Sequence, residues 1–175
     1  GKVIFERWGR LDGMIANAGV LGGLSPLAHV DPKEFDKTFT VNVTATYRLI
    51  RSMDLLLRQS AAGRAVFVSS GAALSAPAFW GVYSASKAAV EAMVKSYAAE
   101  LAQSRVVANV FRPGAARTAM RAQAMPGEML HDVPQQGTTA DFDHRFGSNR
   151  RFFRQSRAEA ARQNHYTHDN ILVAR

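Results

Sequence analysis

The chain has 175 residues, is 47% hydrophobic, carries a formal net charge of +8 and contains no cysteine. That length supports one ordinary domain with a core of its own, while the missing thiols exclude disulfides and thiolate zinc sites and point to a reducing cytoplasmic address. No apolar run reaches the ~20 residues that cross a bilayer, and no secretory leader pattern opens the chain. The basic residues of 1–127 are scattered and not interleaved with aromatics, so nucleic acid ranks last among partners.

In chain order, residues 2–8 read as the closing turns of a helix, stopped by Gly9 in the position of a C-cap. Residues 11–17 (LDGMIAN) are a short apolar run entering a turn, as a buried strand would. After a Gly- and Pro-bearing loop, Asp31-Pro32-Lys33-Glu34 combines an N-cap, a proline at the first helical position and an acid at the third. The spacing of Phe35, Phe39, Asn42, Thr46, Ile50, Met53 and Leu57 predicts one helix, to about residue 57, with those positions on one face.

A second buried strand is expected over 65–69 and a second long helix over about 82–103, with Val90, Met93, Val94, Tyr97 and Leu101 as its stripe. Glu91 and Lys95 have the spacing of a favourable i, i+4 pair. Residues 105–111 make a third strand, stopped by Pro113-Gly114. Strand–helix–strand–helix–strand with near-continuous apolar strands predicts an α/β fold, a parallel sheet with right-handed crossovers. Residues 134–170 hold no Val, Ile, Leu or Met, so an irregular tail is expected over 128–175 after one domain at 1–127, with a short helix possible at 156–163. His165, His168 and Asp169 lie in that tail, and no metal site is expected of them.

Tyr83 and Lys87 are four apart at the start of the second helix, so they share a face. A phenol with a pKa near ~10 becomes a usable proton donor and acceptor when an ammonium stabilises its phenolate. Ser69 and Ser70 end the second strand, at the rim where open parallel sheets place ligands. Asn17 and Gly19 end the first strand, and Pro113 and Gly114 the third, at the same rim.

This ordered set resembles the short-chain dehydrogenases/reductases over about residues 5–126. Residues 10–19 (RLDGMIANAG) are similar to the strand ending in the family's N-N-A-G motif, with Ala16 in place of the first Asn. VNVTAT (41–46) resembles the helix bearing the family's asparagine, VFVSSGAA (66–73) its serine motif, YSASK (83–87) its Y-x-x-x-K, and RPGAARTAM (112–120) its P-G segment. The resemblance implies a partial Rossmann-like sheet, its strands answering to 4, 5 and 6 of the family order. It implies hydride transfer between NAD or NADP and a carbonyl or alcohol substrate.

Carried over by position, Tyr83 is the implied acid and base, and Lys87 is implied to lower the pKa of Tyr83 and to bind ribose hydroxyls. Ser70, thirteen residues before the tyrosine, orients the substrate oxygen, and Asn42 holds a relay water. Asn17, Ala18, Gly19, Pro113, Gly114 and Thr118 are the implied cofactor contacts, together with Tyr83 and Lys87. Trp80, Ala116, Met120 and Met125 suggest a partly apolar substrate pocket.

The family's glycine-rich phosphate loop has no counterpart in this sequence, since no helix opens directly behind Gly19, Gly22 and Gly23. The expectation is therefore an N-terminally truncated member of a family whose complete members form homo-oligomers. The alternative is a catalytically inactive piece acting as an oligomerisation or binding module.

Overall fold

The computed structural model describes residues 1–114 and 116–127. The expectations for the tail, including its histidines and helix, lie outside those residues. The first helix, α1 (Lys2–Trp8), ends where Gly9 turns left-handed at φ 69° and its N–H meets the Phe5 carbonyl. Three parallel strands follow along the chain: β1 (Gly13–Ala16), β2 (Arg64–Val68) and β3 (Val107–Phe111), in that spatial order. Their register sets Gly13 beside Arg64 and Arg64 beside Val107.

The link from β1 to β2 carries α2 (Pro32–Phe39), a wide turn (Thr40–Thr44) and α3 (Ala45–Arg58). A short α4 (Ala72–Ser75) and the long α5 (Gly81–Glu100) lead to β3, and α6 (Ala119–Ala124) follows it. Alternation along the strands turns Met14, Ala16, Ala65, Phe67, Ala108 and Val110 to one face. These pack with Leu57 of α3 and Val90, Val94 and Tyr97 of α5 in one core. Both long helices thus cover the same face, as two successive right-handed crossovers in one direction require. Phe67 and Leu57, both fully buried, mark its centre.

Local chemistry moves several predicted boundaries. Leu11 falls outside β1 because its N–H bonds to the Leu56 carbonyl at 3.0 Å, tying it to α3. Val106 precedes β3 because its N–H is taken by the Ser104 hydroxyl. The Asp31 carboxylate caps α2 through Lys33 N at 2.9 Å, while Glu34 turns instead to Lys37 at 3.6 Å. The predicted single helix over 32–57 is continuous, but it widens over 40–44, where the Ala45 N–H reaches back five residues to Thr40. Its buried stripe holds Asn42, Thr46, Met53 and Leu57, whereas Phe35 stays exposed and stacks on Phe39 at 4.6 Å.

Candidate active site

The carboxyl ends of the strands and the first turns of α5 converge on one rim. Lys87 is buried, and its Nζ donates to the Val68 carbonyl at the end of β2 over 2.9 Å. Desolvation lowers its pKa to about 8, because an apolar surrounding disfavours the ammonium more than the neutral amine. Tyr83, one turn earlier, lies with its ring centroid 5.9 Å from that Nζ and meets Trp80 edge-on at 6.0 Å. Burial pushes the Tyr83 phenol up, and the neighbouring Ser70 hydroxyl pulls it partly back. The net direction is upward, because desolvation outweighs the Ser70 hydrogen bond, whereas the lysine spacing led to the opposite expectation; Tyr83 holds its proton at neutral pH.

The two serines at the end of β2 have separate duties. Ser69 is buried, its hydroxyl donating to Glu91 at 2.7 Å. Ser70 is half-buried beside Tyr83, its oxygen accepting the Ala72 N–H at 3.2 Å at the start of α4. Ser70 is therefore the hydroxyl that faces the phenol.

Asn42 is almost wholly buried in the wide turn, and its amide is fully engaged. Oδ1 accepts the Val20 N–H at 2.8 Å, while Nδ2 donates to the Val20 carbonyl at 3.0 Å and to the Ser86 hydroxyl at 2.8 Å. Ser86 in turn donates to the Tyr83 carbonyl. The amide thus clamps the loop after β1 to the helix that carries Tyr83 and Lys87. The Asn42 carbonyl accepts the Thr46 hydroxyl at 2.7 Å.

That clamp brings Gly19 close to both side chains. A Cβ built on Gly19 would lie 3.2 Å from Lys87 Nζ and 3.3 Å from Asn42 Oδ1, so the bare backbone leaves a cradle beside the ammonium. Asn17 and Ala18 are exposed past the end of β1. Across the rim, Pro113 is half-buried and Gly114 exposed, and Thr118 caps α6 by accepting the Arg121 N–H at 3.1 Å. Leu21, Ala72, Tyr83 and Ala124 form a second small apolar cluster, joined by Leu24, Trp80 and Met120. Of the predicted pocket residues, Trp80 and Met120 thus pack around the tyrosine, Ala116 is half-buried and Met125 remains largely exposed.

Sequence reasoning did not single out Ser86, although it is one of the small residues inside YSASK. It paired Glu91 with Lys95, whose charge does act on the carboxylate, but did not find its closer partners: Glu91 is buried, its carboxylate held by Arg112 and Ser69, because its side chain points to the strand ends. The signal was its spacing, four residues beyond Lys87. Among the described residues no group of His, Asp and Glu could hold a metal ion, and no helix is long and apolar enough to cross a membrane.

A family model described as short chain dehydrogenase matches residues 2–128. The uncharacterized oxidoreductase YciK of Escherichia coli K12 is 44% identical over 119 residues, 68% of this chain and 47% of that protein. An NADPH-dependent aldehyde reductase-like chloroplastic protein of Arabidopsis thaliana is 32% identical, over 69% of this chain and 45% of its own. Among solved structures, a short chain dehydrogenase of Escherichia coli CFT073 complexed with NADPH superposes with a TM-score of 0.73 at 41% identity, covering 75% of this chain and 55% of that one. The chain thus spans about half the length of the relatives it matches.

Proposed function

The chain belongs to the short-chain dehydrogenase family, and from that premise we propose that it carries the acid–base machinery of an NAD(P)-dependent oxidoreductase acting on a carbonyl or alcohol carbon. The observation that carries this reading is the placement of Tyr83 and Lys87 one turn apart on α5, with the Ser70 hydroxyl beside the phenol and Lys87 Nζ fixed on the Val68 carbonyl. In reduction Tyr83 gives its proton to the substrate oxygen, and in oxidation it takes the proton back. Ser70 donates a hydrogen bond to the same oxygen, where charge develops.

The rim fits the ribose and nicotinamide end of a dinucleotide. Gly19 keeps the approach to Lys87 free of a side chain, so that the Lys87 ammonium can reach ribose hydroxyls. Asn17 and Ala18 line the same side, and Pro113, Gly114 and Thr118 border the opposite one. When bound, the dinucleotide supplies or accepts the hydride. Asn42 contributes by fixing Val20, and with it the Gly19 backbone, against α5. With a pKa near 8, Lys87 is mostly charged at neutral pH yet close to titration, and a bound diol or an ionising phenol would raise that value. The small-molecule partner is a carbonyl or alcohol compound that tolerates the apolar surroundings of Trp80 and Met120.

The reading extends to a cytoplasmic homo-oligomer, supported by the absence of cysteine and by Tyr47 and Leu55 lying exposed on α3. Sedimentation of the full chain tests that extension: a monomer at every concentration contradicts it. Titrating the full chain with NADPH and NADH by fluorescence tests the main reading. Saturable binding of either, retained by Tyr83→Phe while reduction of an aromatic aldehyde is lost, is expected. Absence of saturable binding by the folded chain contradicts it.

A further inference from the structure

Tyr83 and Lys87 are the first two members of a longer row. Glu91 follows at the next i+4 step on α5 and is 4% exposed. The row reads the end of β2 residue by residue. Lys87 Nζ holds the Val68 carbonyl, and Glu91 Oε1 accepts the Ser69 hydroxyl at 2.7 Å. The same carboxylate accepts Arg112 Nε at 2.6 Å and Arg112 Nη2 at 2.5 Å, a bidentate fork from the residue that follows β3. The backbone closes the ring, since the Ser69 N–H donates to the Phe111 carbonyl at 2.8 Å.

A charge pair this enclosed, with side chains 12% and 5% exposed for Arg112 and Glu91, is a poor device for stability alone. Desolvating both ions offsets most of their attraction, and apolar residues of like volume often serve as well. What the pair supplies is direction. The fork admits one geometry, and each of its partners adjoins a residue of the site: Ser69 precedes Ser70, and Arg112 precedes Pro113-Gly114. Burial works to raise the Glu91 pKa, but hydrogen bonds from Arg112 and Ser69 outweigh it and bring the value below the ordinary one, so the carboxylate stays ionised at neutral pH.

We propose that Glu91 is a positioning residue for the reaction, acting through Ser69 and Arg112 to hold Ser70 and the Pro113-Gly114 segment in register with Tyr83 and Lys87. The proposal rests on the dehydrogenase reading above. Displacing a hydroxyl by about an ångström from its productive place costs up to ~100-fold in rate, so a loosened Ser70 should be read in kcat.

Three variants of the full chain test this. Ser69→Ala removes one hydrogen bond with little change of volume. Arg112→Lys keeps the charge and loses the fork. The double variant Glu91→Gln/Arg112→Met removes both charges of the pair together. The expected result is a kcat for NADPH-dependent aldehyde reduction about tenfold or more below wild type in every variant that keeps the wild-type near-ultraviolet circular dichroism. NADPH should still bind to each of them, which a general loss of fold would not allow. A folded Ser69→Ala or Arg112→Lys chain with kcat within twofold of wild type overturns the positioning role and leaves the dehydrogenase reading intact. A wild-type chain that neither binds NADPH nor reduces the aldehyde overturns the reading itself, and the proposal with it.

Discussion

Replacing Lys87 by Met probes the desolvated ammonium at the centre of the site. In the folded chain Lys87 titrates near 8, against ~10.4 for an unperturbed lysine. The folded-state value is the depressed one, so between those two values the unfolded chain binds more protons and stability rises with pH. Below pH 8 the native state bears the whole cost of charging a buried amine, about 3 kcal/mol for a shift of this size. That cost falls to about 2 kcal/mol at pH 9 and below about 1 kcal/mol at pH 10. Met has a similar length and carries no charge, so Lys87→Met escapes the cost at every pH, although it leaves the Val68 carbonyl without its donor, a loss of about 1–3 kcal/mol.

The absolute stability of the variant mixes these two terms, whereas its pH dependence isolates the first. Urea unfolding followed by tryptophan fluorescence, at fixed ionic strength between pH 7 and pH 10, gives the difference between wild type and variant. Groups common to both chains cancel in that difference. The wild type should gain on Lys87→Met by about 2–2.5 kcal/mol over the interval, most of it above pH 8. A difference that stays flat within ~0.5 kcal/mol would mean that Lys87 is solvated and titrates normally, and the electrostatic account of the site would be wrong.

Two further outcomes follow from the clamp and the cradle. Asn42→Leu leaves Val20 N and Val20 O without these partners and takes from Ser86 Oγ the donor it accepts from, and should destabilise the chain by about 3 kcal/mol in urea unfolding; a loss below ~1 kcal/mol would show that the loop is held by other means. Gly19→Ala should leave stability within ~1 kcal/mol but weaken NADPH binding about tenfold, because its methyl enters the space beside Lys87; unchanged affinity in a fluorescence titration refutes the cradle.

What the sequence discloses and what it hides follow a physical rule. Tyr83 and Lys87 are legible because both belong to one helix, where spacing alone dictates a shared face. The three strands are legible because each is a short apolar run between turn residues. Glu91 is read only in part for the same reason that Lys87 is read well: a helical template pairs it with Lys95, whose charge does act on it, while Arg112, which forks onto its carboxylate, lies 21 residues away at the end of another strand. The direction of the Tyr83 shift is hidden because spacing places an ammonium nearby but does not show how deeply the phenol is buried. Asn42 stands out as a polar residue on an apolar face, yet its partners Val20 and Ser86 sit 22 and 44 residues away. Contacts made by tertiary packing leave no periodic trace.

Under the proposed function, Tyr83, Lys87 and Ser70 carry out carbonyl reduction with a nicotinamide dinucleotide. Incubating the full chain with NADPH carrying two deuterium atoms at nicotinamide C4 and an aromatic aldehyde, then locating deuterium in the alcohol by mass spectrometry, is the most direct test. The account predicts deuterium on the carbinol carbon with wild type and none above background with Tyr83→Phe. Absence of labelled alcohol with wild type, or equal labelling by both chains, would refute it.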